Sequence, residues 1–489
     1  MTNTTILQFF EWYLPNNASH WQHTVQKAKE ISDLGFTHVW LPPASKGAGG
    51  INDTGYGTYD LYDLGEFDQK GSIPTKYGTK EDFLAAINAL QAQNIKVLAD
   101  IVFNHFLGAD EKEVVSAQKF SPSDRTRPIG NEETIEAWTK FTFPGRMGKY
   151  SDDQWNRTHF SGVDWDDRRK EHAVFELEGK QWETKVDQEL GNFDYLMGAD
   201  LDMSSTEVIS RLIEWGKWFL NTTHVDGFRL DAIKHISFTF FTKWLSAMTQ
   251  HKGAPLFAVG EYWSNDVHSL ISYLDASGMI LSLFDVPLHF NLMLASQQKS
   301  EYDLRQIFEG SLLRSRPQWA VTFVDNHDTQ PGQSLQSWVE GWFKPLAYAL
   351  ILLRQEGTPC VFYGDLYGIA HDQIDPVGDQ LHSLLTARKF CAYGDQVDYF
   401  DDPHTIGWTR TGHEDHPHSG MAVILNNQHS AEKRMNVGAW FAGKTFFDAL
   451  GNHPAQIAIE EDGSGVFPVE GSSVSVWVPE EAKGFFSPN

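Results

Sequence analysis

Short apolar runs alternate with amphipathic stretches over the first hundred residues of the chain. Residues 6–10 and His38–Leu41 read as buried strands, the second stopped by Pro42 and Pro43, and 23–34 between them reads as a helix. Residues 80–93 carry Phe83, Leu84, Ile87 and Leu90 at i, i+1, i+4 and i+7, one face of a helix. The continuous apolar run 97–103 then suits a strand buried on both sides. From about His105 to Met203 the periodicity weakens into Asp-, Trp- and Gly-punctuated sequence. That length is too great for a plain loop and predicts an inserted domain.

Alternation then resumes. Helical patterns at 206–221, 238–250 and 345–355 lie among strand-like runs at Gly227–Leu230, Phe257–Gly260, 281–284, 320–324 and 360–363. Eight short strands separated by helices predict a closed parallel barrel. Past about Ala392 helical periodicity stops. Short runs at 405–409, 422–425, 445–447 and 474–478, split by Asn, Asp and Gly, predict an antiparallel β sandwich. The expected fold class is α/β: a (β/α)8 TIM barrel with an inserted β-rich domain after strand 3 and a C-terminal antiparallel β sandwich. The expected divisions are 1–104 and 206–394 for the barrel, 105–205 for the insert and 395–489 for the sandwich.

Composition narrows the chemistry. The 489 residues carry a formal net charge of −26, which a nucleic-acid backbone would repel. A neutral ligand suits it better. With 17 Trp there are flat rings to spare for stacking on sugars, although ordinary core packing absorbs most of them. Two cysteines, Cys360 and Cys391, both in apolar settings, are expected to be buried free thiols. No apolar stretch approaches the ~18 residues of a membrane span. The first residues show no basic segment, apolar segment and cleavage site in succession. The expectation is a soluble, monomeric, cytoplasmic protein without membrane or nucleic-acid partners. A secreted mature form with its signal removed is the alternative.

Active residues of such a barrel should sit just past the C-terminal ends of strands. Gly227-Phe228-Arg229-Leu230 runs into Asp231, Val259-Gly260 into Glu261, and Phe323-Val324-Asp325-Asn326-His327 into Asp328. Three strands each deliver a carboxylate to one mouth, spaced by one and two strand–helix units. Glycosidic cleavage needs a carboxylate that attacks the anomeric carbon and a protonated one that donates to the leaving oxygen. A third can hold the ring and the developing charge. Arg229 lies on the same strand face as Asp231, where a cation should keep that carboxylate ionised. Crowding and burial should raise the pKa of one member of the trio.

Four segments, Asp100-Ile101-Val102-Phe103-Asn104-His105, the run 227–235, Gly260-Glu261-Tyr262-Trp263 and the run 323–328, resemble the signature regions of the α-amylase family in its own order. Phe10-Glu11-Trp12-Tyr13 and the stretch 55–67 resemble bacterial liquefying members. Stretches 69–78, 191–198 and 471–478 resemble their signal-less cytoplasmic branch. The resemblance spans nearly the whole chain. It implies endo-hydrolysis of α-1,4-glucosidic bonds in starch, glycogen and maltodextrins, with retention. Asp231 would be the nucleophile, Glu261 the acid/base and Asp328 the transition-state stabiliser. It also implies that His105, Arg229 and His327 bind the sugar beside the scissile bond and that Tyr56 stacks on it. Lys234, His235 and Trp263 would serve the leaving-group side.

Asn104, Asp194 and Asp200 are oxygen donors at the junction of barrel and insert, suited to a hard cation such as Ca²⁺. The resemblance adds the backbone carbonyl of His235. It also implies that a further multi-metal cluster is lost, since Ser161, Glu183 and Ser204 replace aspartates and only Asp202 remains. A third site is lost where Ile406 and Gly407 replace ligands. One structural calcium is therefore expected, and Met197 nearby reads as packing. A maltooligosaccharide-trimming or transglycosylating enzyme of the same family is the alternative activity. A catalytically silent glucan-binding barrel is disfavoured by the complete trio.

Overall fold

The computed structural model describes residues 3–486. Eight parallel strands close a barrel, each paired with its neighbours in sequence: β1 (Ile6–Gln8), β2 (His38–Leu41), β3 (Lys96–Ile101), β4 (Gly227–Leu230), β5 (Phe257–Gly260), β6 (Ser282–Phe284), β7 (Ala320–Phe323) and β8 (Thr358–Phe362). Every strand predicted for the barrel is present, shifted by a residue or two at its ends. Helices follow most of them, including His20–Asp33, Lys80–Ala92, Thr206–Thr223 and Phe240–Lys252. The first begins three residues before the predicted start. His20 and Trp21 turn inward against Tyr77, and Trp21 also meets Phe83, so tertiary packing extends the helix past its sequence pattern.

Between β3 and the helix Thr206–Thr223 lies a six-stranded sheet. In spatial order it runs His105–Phe106, Ala199–Leu201, Phe160–Asp166, Glu171–Leu177, Glu111–Phe120 and Pro128–Lys140. Its first two strands lie directly beyond the end of β3, which seats the insert over the C-terminal ends of the barrel strands. The C-terminal region holds a six-stranded antiparallel sheet facing the pair Ala431–Asn436 and Ser464–Val469. Strand Met421–Asn426 alternates as a two-sided strand should: Val423 and Leu425 join the barrel's core, and Ala422 and Ile424 join the core between the two sheets. Cys360 and Cys391 are buried free thiols. Met197 departs from its expected role. It is 39% exposed, beside the left-handed turn at Gly198 (φ +63°).

Candidate active site

Arg229 organises the barrel mouth. Inward on β4, it pairs in register with Asp100 on β3 and is almost wholly buried. Its Nη1 donates to Asp100 Oδ1 (2.9 Å) and Asp231 Oδ1 (2.5 Å), and its Nη2 lies 2.9 Å from Glu261 Oε2. Backbone pairing continues past the strand ends to fix the two acids. Asp231 N donates to Ile101 O and Glu261 N to Leu230 O. Ala232, next in line, takes a left-handed φ of +49°, and its N–H donates to Glu261 Oε2 at 3.1 Å. A non-glycine residue in that region carries strain, here spent on aiming one N–H at the carboxylate of the next strand.

The electrostatics differ from the expectation that Arg229 holds Asp231 low. Burial pushes the Asp231 carboxyl up to about 6, with Asp100 adding repulsion, against the opposing pull of Arg229. One guanidinium divided among three carboxylates cannot neutralise them all. Glu261 is likewise raised by burial and by Asp231. Asp328 is raised well above the usual range by burial, then by Glu261, although Arg229 pulls the other way.

His327 is buried, and burial with the nearby Arg229 holds it neutral, well below its ordinary pKa. The Gln8 amide donates to its Nδ1 at 3.0 Å, which leaves the ring proton on Nε2, 3.3 Å from Asp328 Oδ2. Tyr56 donates its hydroxyl to Asp100 Oδ2 (2.8 Å), and its ring lies parallel to those of His327 and Trp12, with centroids 5.1 and 5.9 Å away. His105 donates from Nε2 to Tyr56 O (2.9 Å). Asp231, Glu261, Arg229, Asp328, His327, Tyr56 and His105 thus form one contiguous set. Lys234 stands beyond Ala232, with Nζ 2.7 Å from Glu189 Oε2 and donating to Trp263 O at 3.0 Å. Those contacts bring Lys234 and Trp263 together beside Glu261.

Of the predicted metal donors, Asn104 touches Asp200, and Asp194 lies close enough to repel it. Asn104 Nδ2 donates to Asp200 Oδ1 (3.3 Å), and Asn104 Oδ1 is buried with no hydrogen-bond partner. Burial raises Asp194 to about 8, and burial with repulsion from Asp194 raises Asp200 well above its usual range. Buried acceptors without a donor, beside carboxylates that repel one another, suit a hard cation. His235 Nδ1 donates at 2.7 Å to the carbonyl O of Phe193, the residue before Asp194. Asp202 has a different neighbour, the Lys180 ammonium at 2.6 Å, which lowers its pKa. Ser204 and Ser161 donate hydroxyls to Asp202 and Asp200.

Two participants were missed in the sequence. Asp100 binds Arg229, Tyr56 and Trp40 at once; its signal is a carboxylate inside the apolar run 97–103. Gln8 sets the His327 tautomer; its signal is one amide within the apolar first strand.

Comparison with known proteins gives a consistent picture. The family described as "Alpha amylase, catalytic domain" matches residues 10–382, and "Alpha-amylase C-terminal" matches 421–478. The chain is 51% identical to an α-amylase of Geobacillus stearothermophilus over 98% of its own length and 87% of the relative's. It is 48% identical to the glucan 1,4-alpha-maltohexaosidase of Bacillus sp. (strain 707), covering 98% and 92%. It is 45% identical to the cytoplasmic α-amylase of Escherichia coli (strain K12), covering 98% and 100%.

Proposed function

The chain belongs to the α-amylase family of glycoside hydrolases, and on that premise we propose how this enzyme hydrolyses α-1,4-glucosidic bonds within starch, glycogen and maltodextrin chains. The observation that carries the reading is the single Arg229 guanidinium touching both Asp231 and Glu261. Adjacent nitrogens of one planar group favour the close-set carboxylate pair of a retaining enzyme, about 5–5.5 Å apart, over the wider inverting pair.

Asp231 attacks the anomeric carbon as the glycosidic C–O bond breaks. Glu261, its proton retained by burial, gives that proton to the leaving oxygen. Water, deprotonated by Glu261, then attacks the glycosyl–Asp231 ester and frees the carboxylate. Asp328 accepts from ring hydroxyls and stabilises the oxocarbenium-like charge, with the neutral His327 N–H and His105 beside it. Tyr56 offers its ring to the sugar on the glycone side, and Lys234, His235 and Trp263 meet the leaving chain.

A polymer requires more than one subsite. From Phe106, the residue after His105, begins a hollow of about 380 Å³ also walled by Leu107, Trp138, Val163 and Trp165, with Trp138 41% exposed. Aromatic walls beside the strand that carries His105 suit further glucosyl rings, in keeping with endo action. Asn104, Asp194, Asp200 and the His235 carbonyl would hold one Ca²⁺, which would neutralise the buried carboxylates and fix the insert against the barrel. Among the described residues no helix is long and apolar enough to cross a membrane. The relative named as cytoplasmic favours that compartment for this chain, and cell fractionation tests it. A monomer is the proposed state, testable by sizing with light scattering.

Glu261→Gln tests the mechanism. Reducing-end release from soluble starch should fall by at least about 10²-fold while maltoheptaose still binds. Turnover unchanged from wild type would overturn the assignment. On amylose the wild-type enzyme should release a spread of oligosaccharides from the first minutes; maltose or glucose alone would favour the trimming alternative.

A further inference from the structure

A second cavity, of about 540 Å³, lies at the opposite end of the barrel. Its walls come from the segment 305–317 ahead of β7, from Arg354 and Glu356 ahead of β8, and from Asp398 and Phe400 at the edge of the C-terminal sheet. Residues just before strands mark the N-terminal rim, whereas Asp231 and Glu261 follow strand ends. The cavity and the catalytic mouth are therefore on opposite faces.

The cavity is rigidly built. Arg354, only 6% exposed, makes a two-pronged bond with Asp398, Nη1 to Oδ1 and Nη2 to Oδ2, both 2.9 Å. Its guanidinium lies over the rings of Phe308 (4.7 Å) and Phe400 (5.6 Å), which stack on each other at 6.0 Å. Backbone ties hold the walls together: Gln355 N donates to Gln396 Oε1, and Arg410 Nη1 to Leu353 O. At the rim, Arg305 pairs with Asp303 and Arg314 with Glu309.

The charges exclude one class of ligand. Each arginine already faces a carboxylate, so no net positive potential remains to attract an anion. What remains is a ring of paired donors and acceptors around two aromatic side chains. That chemistry matches a neutral polyhydroxyl molecule, whose hydroxyls take both kinds of partner and whose C–H faces pack on rings. We propose that this cavity is a non-catalytic binding site for a short α-glucan segment, holding the polymer while the opposite face cleaves it. The choice of an α-glucan over other sugars rests on the activity proposed above.

The test uses the full chain carrying Glu261→Gln, titrated with maltoheptaose by calorimetry. Two binding events are expected, and adding Phe400→Ala should remove one. Arg305→Ala, at an exposed side chain that cannot threaten folding, should weaken that same event several-fold. In the otherwise wild-type enzyme, Phe400→Ala should leave kcat/KM on a chromogenic maltotrioside unchanged and reduce retention on glycogen gels by about tenfold, the loss of a tethered contact. A single binding event in Glu261→Gln would overturn the proposal, as would two events surviving in both folded double variants. Failure of the activity reading looks different: no starch hydrolysis by the wild type.

Discussion

Arg229 decides the acid–base behaviour of the mouth because it is one cation among four carboxylates. It contacts Asp100, Asp231 and Glu261 and lies near Asp328, so each receives only part of its charge. Burial, only partly offset by that shared charge, raises the Asp231 carboxyl to about 6. A nucleophile must be ionised, so kcat/KM should fall on the acid side with a limb near pH 6, about tenfold per pH unit below it. Asp100→Asn removes a repelling neighbour and releases Arg229 toward Asp231, which should move that limb to lower pH; a pH–rate profile on maltoheptaose reads the shift. Stability follows the same imbalance. A carboxyl whose native pKa is raised binds more protons folded than unfolded, so stability declines as pH rises from about 4 through about 6. Asp231→Asn should therefore abolish hydrolysis and yet stabilise the fold at pH 8, on the order of 1–3 kcal/mol, with the gain vanishing near pH 4. Paired denaturant melts at the two pH values check the sign.

At the scale of elements, the mouth works because β4 and β5 stop where Asp231 and Glu261 begin, while Asp328 follows β7 across a short turn. The turn after β4 is the exception that needs a strained residue. Ala232 at φ +49° points its N–H at Glu261 Oε2. Ala232→Gly should keep near-full turnover, since glycine adopts that conformation freely, whereas Ala232→Val should cost about 1–3 kcal/mol of stability or an equivalent loss of kcat. Thermal melts with kcat on the same preparations separate the two costs.

Much of this was legible in sequence. An apolar run ending in an acid is visible by eye, and Asp231 and Glu261 stand at such ends; the run 320–324 ends in Asp325, which pairs with Lys344, and Asp328 lies three residues farther on. Asp100 and Gln8 were hidden inside apolar strands, where their inward direction depends on barrel register. The insert's hairpin, Glu111–Phe120 with Pro128–Lys140, was seen only as β-rich sequence. It leaves Val114 and Trp138 exposed, so no single buried face imposes an alternating pattern. The sharing of Arg229 was invisible for another reason. Sequence places a cation beside Asp231 but does not count the other carboxylates that reach it.

At the scale of the whole molecule, the cleft has two walls of unequal security. The barrel wall rests on a closed ring of strands and a continuous core, whereas the insert wall meets the mouth through short strands, His105–Phe106 and Ala199–Leu201. Between them lie Asn104, Asp194 and Asp200, with an unpartnered buried oxygen and repelling carboxylates. The proposed Ca²⁺ would turn this weak seam into a clamp, and Lys180 already supplies a fixed cation to Asp202 farther along it. Chelation should then act on the insert first. An ion held at 100 times its dissociation constant contributes about 2.7 kcal/mol, enough to lower the melting temperature by several degrees. With EDTA, proteolytic nicking should begin within the segment 180–200, and starch hydrolysis should be lost, while barrel circular dichroism persists. Ca²⁺ restored before the protease is added should recover the melting temperature and activity and prevent the nicking. A chelated enzyme with unchanged melting, unchanged nicking and full activity would mean that these residues hold the seam without an ion.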